Sequence, residues 1–266
     1  MCWATVKTKV NQKKYDKQQE AGLILNAFDM SKFANSKPEA WDWPHPGHSA
    51  RMSEYDAELK DLASKKIWRY GDTAAFGDSL MDQQNKQFEI FTAVNRKLNF
   101  AIGGAWAQHI AAQGEDVAVM LHNYGLYDRI NYIVSGCYGG NPFLQGQPLE
   151  ITVQKSIESL DRMLAAYPDK RHIIYGIPPV NIIYATKQAY PFEDRIYKEW
   201  VLPNVFKGKE IVFLPLQRRF GGKFGIFPDS VMTSDGVHLS PKGCKRFSDL
   251  VDKGKEAKPG SIVDKV

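Results

Sequence analysis

The stretch Ala74-Ala75-Phe76-Gly77-Asp78-Ser79-Leu80-Met81 decides the fold. It follows an apolar, aromatic run that begins at Ile67 and Trp68, and it leads into a polar, helix-permissive segment. A Gly-Asp-Ser sequence at the end of a buried strand holds a serine at the carboxyl edge of a sheet. Gly77 permits tight backbone geometry there, and a helix starting at Ser79 points its first amides at an anion. The same tripeptide is also ordinary turn chemistry, so the reading of Ser79 depends on what the other strand ends carry.

Working outward, apolar runs recur at 98–102, 117–121, 172–177 and 211–216, each bounded by glycine, proline or charge. Longer amphipathic stretches lie between most of them. Buried strands alternating with helices predict an α/β fold with a central parallel sheet and helices on both faces. The clearest helix covers 151–166, where Ile157, Leu160, Met163 and Leu164 share a face and Pro168 follows its end. Another is predicted to start at Ser240 as cap with Pro241 in its first position, and a third over 53–65 with Ser53 as cap. Ligands of such sheets bind beyond the carboxyl ends of the strands. Those ends carry Gly103-Gly104 after the second run, His122-Asn123-Tyr124-Gly125 after the third, and a last loop reading Thr233-Ser234-Asp235-Gly236-Val237-His238-Leu239-Ser240-Pro241.

A serine hydroxyl is a poor nucleophile at neutral pH and needs a base, itself oriented by a third group. Asp235 and His238 have the right types, and two intervening residues in a turn let the carboxylate reach the imidazole. The backbone amides of Ser79 and Gly104 and the side-chain amide of Asn123 are the expected donors to an oxyanion. Gly104 suits that role because the reacting carbonyl can approach a residue without a side chain closely. His122 and Tyr124, beside Asn123, are candidate substrate contacts, with simple packing the equal alternative for His122. Asp78 reads as a turn or helix-cap acid. His45, His48, His109 and His172 show no carboxylate pairing or metal-ligand spacing, and His172 reads as structural.

In that order, the Gly77-Asp78-Ser79-Leu80, Asn99-Phe100-Ala101-Ile102-Gly103-Gly104 and Asp235-Gly236-Val237-His238-Leu239-Ser240 blocks resemble the SGNH hydrolases, also called the GDSL esterase and lipase family. The resemblance covers roughly residues 67 to 250. It implies a three-layer flavodoxin-like domain with Ser79 as nucleophile, His238 as base, Asp235 as orienting acid and Gly104 as an oxyanion donor. The family's remaining block, Gly-x-Asn-Asp, has two registers here. Asn123 fills the asparagine position in one, and Gly125-Leu126-Tyr127-Asp128 matches in the other with Tyr127 at that position. The expected activity is hydrolysis of a small acyl ester, O-acetyl on a carbohydrate being favoured over a lipid. Acetyl transfer, or a carbohydrate-binding or assembly protein with impaired chemistry, are the alternatives.

The composition fits this reading. With 266 residues, 43% apolar and 24% charged, the chain has room for one large domain. We divide it into an N-terminal extension (1–66), a catalytic domain (67–255) and a C-terminal tail (256–266). The net charge of +5 comes partly from lysines at both ends, which read as solvated termini and require no nucleic-acid partner. Cys2, Cys137 and Cys244 form no close-spaced pair, so free thiols and no metal site are expected, and nothing calls for a cofactor. No stretch has the apolar core of a signal peptide or the length of a membrane span, which reads as a cytoplasmic chain unless a leader precedes Met1. Trp41 and Trp43, set among prolines, read either as an aromatic wall for a sugar or as anchors pinning the extension. The glycine-rich stretch 135–146 reads as a lid over the crevice, and the basic stretch 218–224 as a solvated loop or an anion contact.

Overall fold

A computed structural model describes residue 41 and residues 44–65, 71–84, 92–180, 183–220, 231–233 and 235–263. Helix α1 (His48–Ser64) comes first, followed by β1 (Thr73–Phe76), α2 (Ser79–Gln83), α3 (Ala107–Asn123), β2 (Tyr132–Gly136), α4 (Gly140–Leu144) and α5 (Leu149–Ala166). Then come β3 (Arg171–Tyr175), α6 (Ile183–Arg195), a π-helical turn (Ile196–Val201), α7 (Leu202–Phe206), β4 (Ile211–Leu214), α8 (Leu216–Phe220) and α9 (Pro241–Glu256). The four strands are parallel in the order β1-β2-β3-β4. Outside β1 runs a fifth, strand-like segment, where Asn99 bridges Ala75 in parallel, Phe100 N–H donates to Ala75 O and Ile102 N–H to Gly77 O. Counting it, the sheet has the 2-1-3-4-5 order of a flavodoxin-like fold.

Alternation along β3 defines the layers. His172 donates to Tyr167 O at the end of α5, while its neighbour Ile173 packs toward Gly254 of α9, so α5 and α9 cover opposite faces. Residues in β1, β3 and β4 are almost all buried, which is why these strands read as continuous apolar runs. Ser240 caps α9 by accepting from Gly243 N–H, with Pro241 in the first turn, as the sequence predicts.

Three expectations change. The run 117–121 is the last part of α3, with Ile110, Ala111, Gly114, Val117, Ala118 and Leu121 buried at helical spacing. Short apolar runs do not by themselves separate strand from helix. The third strand is instead β2, Tyr-Ile-Val-Ser-Gly, inside a stretch whose glycines point to a loop. The lid expected at 135–146 is the end of that strand plus α4. Ser53 lies within α1 and bonds back to Ser49 O, while the helix itself starts at His48.

The described parts of the extension and of the tail are integrated into the domain. Tyr55, Leu59 and Leu62 of α1 join the core, with Tyr55 edge-on to Phe100 at 5.3 Å. At the other end, Gly260 N–H donates to Ile211 O, Phe213 N–H to Ser261 O and Val263 N–H to Phe213 O, so 260–263 zips along the outer edge of β4. That pairing covers an edge otherwise open to another chain. No helix among the described residues is long and apolar enough to cross a membrane.

Candidate active site

Ser79 stands where β1 meets α2. Asp78 caps that helix, its carboxylate accepting from Leu80 N–H at 2.9 Å. Gly77 must be glycine because a Cβ there would fall 2.2 Å from the Tyr175 hydroxyl and 3.1 Å from Met81 Cβ. Asn99 ties the neighbouring strand end to the same helix, donating to Met81 O at 2.8 Å. The strand therefore turns into helix with the serine at its first position, and the segment 99–104 runs alongside.

The last loop meets this serine from across the sheet edge. Ser79 Oγ lies 3.0 Å from His238 Nε2, and His238 Nδ1 lies 2.6 Å from Asp235 Oδ2. Asp235 is also held by its own loop: Oδ1 accepts from the Thr233 hydroxyl and from the N–H groups of Val237 and His238. Partial burial disfavours its charge, but the bonds from His238, Thr233 and Val237 outweigh burial and hold Asp235 well below the usual carboxylate range. An ionised carboxylate only accepts, so Nδ1 carries the imidazole hydrogen and the Nε2 lone pair is left for the serine hydroxyl.

Opposite the serine, Gly104 adopts φ +82°, a left-handed conformation that glycine takes without penalty. Neither Ser79 N–H nor Gly104 N–H has an acceptor among the described residues. The side-chain amide near this pair belongs to Asn141, at the start of α4. Its Nδ2 donates to Asp78 Oδ2 (3.2 Å) and to Ala105 O (2.9 Å), and it lines the same cavity as Ser79 and His238. Asn123 does not reach this place. It ends α3, whose first turn adjoins Gly104 and whose 17 residues carry the chain about 25 Å toward the amino edge of the sheet. His122 and Tyr124 go with it. His122 stacks on Tyr127 at 3.8 Å, and Tyr124 bonds to Asp56 of α1. The Tyr127 register fails for the same reason: Tyr127 precedes β2, and its hydroxyl bonds to Asp169, which precedes β3, so both lie at the amino edge of the sheet. The signal for Asn141 was Gly139-Gly140-Asn141 just beyond Ile133 and Val134. Ser135 and Gly136 hide that strand from a reading of apolar runs.

A narrow cavity of about 20 Å³ opens beside the serine, lined by Leu80, Cys137, Leu144, Ile177, Val180 and Val237 together with Ser79 and His238. Cys137 holds φ +58°, the one positive φ of a non-glycine residue among the described residues, and its buried thiol lies beside Asp78. Burial, then the Asp78 charge, pushes that thiol far above the ordinary cysteine range, so it is no nucleophile. Burial also raises Asp78 to about 6, against the opposing effects of Leu80 N–H, the Cys137 thiol and His238. Cys137 and Cys244 are both free. Trp41 is buried, edge-on to Trp106 at 4.7 Å and donating to Gln147, so it pins the extension. Trp43 and most of 218–224 lie outside the described residues. His48 does have a carboxylate partner, Asp116 at 2.7 Å. Among the described residues no group of histidine, cysteine or acidic side chains has the arrangement of a metal site.

No protein-family model and no curated protein matches the chain. Solved structures do. A candidate acylhydrolase from Bacteroides fragilis NCTC 9343 superposes with a TM-score of 0.59 at 14% identity, covering 80% of this chain and 98% of that one. A candidate platelet activating factor from Streptococcus pneumonia gives 0.57 at 18% identity, covering 78% and 94%. A GDSL-like lipase from Bacteroides thetaiotaomicron VPI-5482 gives 0.55 at 12% identity, covering 78% and 98%. At these identities the likeness establishes the fold: the chain has the three-layer α/β fold of the GDSL-type lipases and acylhydrolases.

Proposed function

We propose that this protein is a serine esterase that removes a small acyl group through Ser79, His238 and Asp235. The observation that carries the reading is the unbroken line from Ser79 Oγ to His238 Nε2 (3.0 Å) and from Nδ1 to Asp235 (2.6 Å), with the serine at a helix start. His238 takes the hydroxyl proton as Oγ attacks the ester carbonyl. Asp235 stabilises the resulting imidazolium. The developing oxyanion receives the N–H groups of Ser79 and Gly104, and the Asn141 amide takes the role that the sequence assigned to Asn123. Collapse expels the alcohol, protonated by His238, and leaves an acyl-enzyme. Water activated by His238 then attacks the acyl carbonyl and regenerates Ser79.

Cavity size supports a short acyl group. About 20 Å³ with largely apolar lining has room for little more than one water-sized group, which fits the methyl of an acetyl ester. The sugar preference loses one support, because the buried Trp41 cannot stack on a saccharide.

Hydrolysis of p-nitrophenyl acetate by the full chain tests the reading, with Ser79→Ala expected to lower kcat by about 10³-fold or more. A fluorophosphonate probe should modify Ser79 in the wild type. Equal rates for wild type and Ser79→Ala, or hydrolysis by neither, would sink the proposal.

A further inference from the structure

We propose that His45, in the segment ahead of α1, is a positioning residue for the oxyanion hole. It would act on the peptide unit between Gly103 and Gly104. This inference rests on the esterase reading, in which Gly104 N–H meets the oxyanion.

The hydrogen-bond pattern fixes the tautomer of His45. Gly47 N–H donates to Nδ1 at 3.0 Å, so Nδ1 is an acceptor and the ring hydrogen is on Nε2. Nε2 then donates to Gly103 O, also at 3.0 Å. That carbonyl belongs to the same planar peptide as Gly104 N–H, and in a trans peptide the two point in opposite directions. Holding the oxygen on the His45 side therefore turns the N–H to the other side. A hydrogen bond to the carbonyl also polarises the peptide and strengthens its N–H as a donor. His45 lies hard against this unit: a Cβ built on Gly104 would have Nε2 as its nearest neighbour, at 3.7 Å.

The imidazole is in turn braced. His109 contacts it edge-on at 5.3 Å, and His109 Nδ1 accepts from Trp106 N–H where the glycine segment enters α3. Two further bonds join α1 to the same region, from the Tyr55 hydroxyl to Ala101 O (2.7 Å) and from Arg51 to Asp82 of the serine helix (2.9 Å). A segment outside the family-like part of the chain thus supports both walls of the anion site.

Two substitutions divide the two functions of the ring. Glutamine places an N–H donor at the reach of Nε2 but lacks the Nδ1 acceptor, whereas asparagine keeps an acceptor for Gly47 and cannot reach Gly103. In full-length protein assayed on p-nitrophenyl acetate, His45→Asn should lower kcat about tenfold with little change in KM, a fraction of the 10²- to 10³-fold cost of deleting a donor. His45→Gln should stay within about threefold of wild type, since the carbonyl contact survives. The reverse order would mean that His45 only holds the turn at Gly47, and wild-type kcat in both variants would mean that it does nothing for the peptide. Either result overturns the inference while wild-type turnover and fluorophosphonate labelling of Ser79 leave the esterase reading standing. A wild type that neither turns over nor labels removes both.

Discussion

Asn141 has both of its amide hydrogens engaged, one on the buried Asp78 and one on Ala105 O. To serve the proposed oxyanion it would exchange one of these two bonds. Asn141→Ala should lower kcat about 10²- to 10³-fold with a smaller effect on KM. Asn123→Ala, at the exposed end of α3, should leave both constants unchanged. Steady-state kinetics on the pair decides between the two asparagines, and a loss at Asn123 would contradict the geometry. At this scale the serine, the histidine and its acid were legible because each sits in a short local pattern. Asn141 was not, because its meaning depends on which stretch forms the neighbouring strand.

Among the elements, the turn from β1 into α2 is the most tightly specified. The Tyr175 side chain of β3 crosses beneath it, with its hydroxyl against Phe76 O and its ring edge-on to Phe247 of α9. Gly77→Ala should destabilise the protein by about 1–3 kcal/mol, the usual cost of overpacking, and displace Ser79. Because the closest clash is with the Tyr175 hydroxyl, Tyr175→Phe in the same chain should recover part of that loss. A denaturant-melt double-mutant cycle measures the coupling, and additive losses would place the clash elsewhere. This crossing also shows what the sequence could convey. β1, β3 and β4 were legible because burial on both faces leaves an unbroken apolar signature. β2 was not, since its buried Ser135 is satisfied by the Tyr138 hydroxyl and its Gly136 lies where a side chain would strike Tyr175. α3 was misread in part because its last apolar positions, seen alone, fit either period.

For the molecule as a whole, two buried groups oppose each other as pH falls. Burial lowers His172 from 6.5 to about 4, against the bond to Tyr167 O. Between those values the unfolded chain binds a proton that the folded one refuses, so this contribution to stability is lost on acidification from 6.5 toward 4. Asp78, raised from 3.8 to about 6, has the opposite sign: its contribution is full below 3.8 and gone above 6. Each is worth about 3 kcal/mol at most by the pKa shift, so in the wild type they largely cancel between pH 4 and 6. Asp78→Asn removes one side. Its urea midpoint should fall clearly from pH 6.5 to 4 where the wild-type midpoint moves little, and parallel curves would refute the assignment. The pairing of Ser79 with His238 has a kinetic consequence of its own. Those residues are 159 positions apart, so their contact closes a loop spanning most of the chain and every strand after β1. Loops of that length close late, after local helices and neighbouring strands have formed. Regain of turnover during refolding is therefore a clock for the final docking of the two ends of the sheet, running behind any signal from helix content.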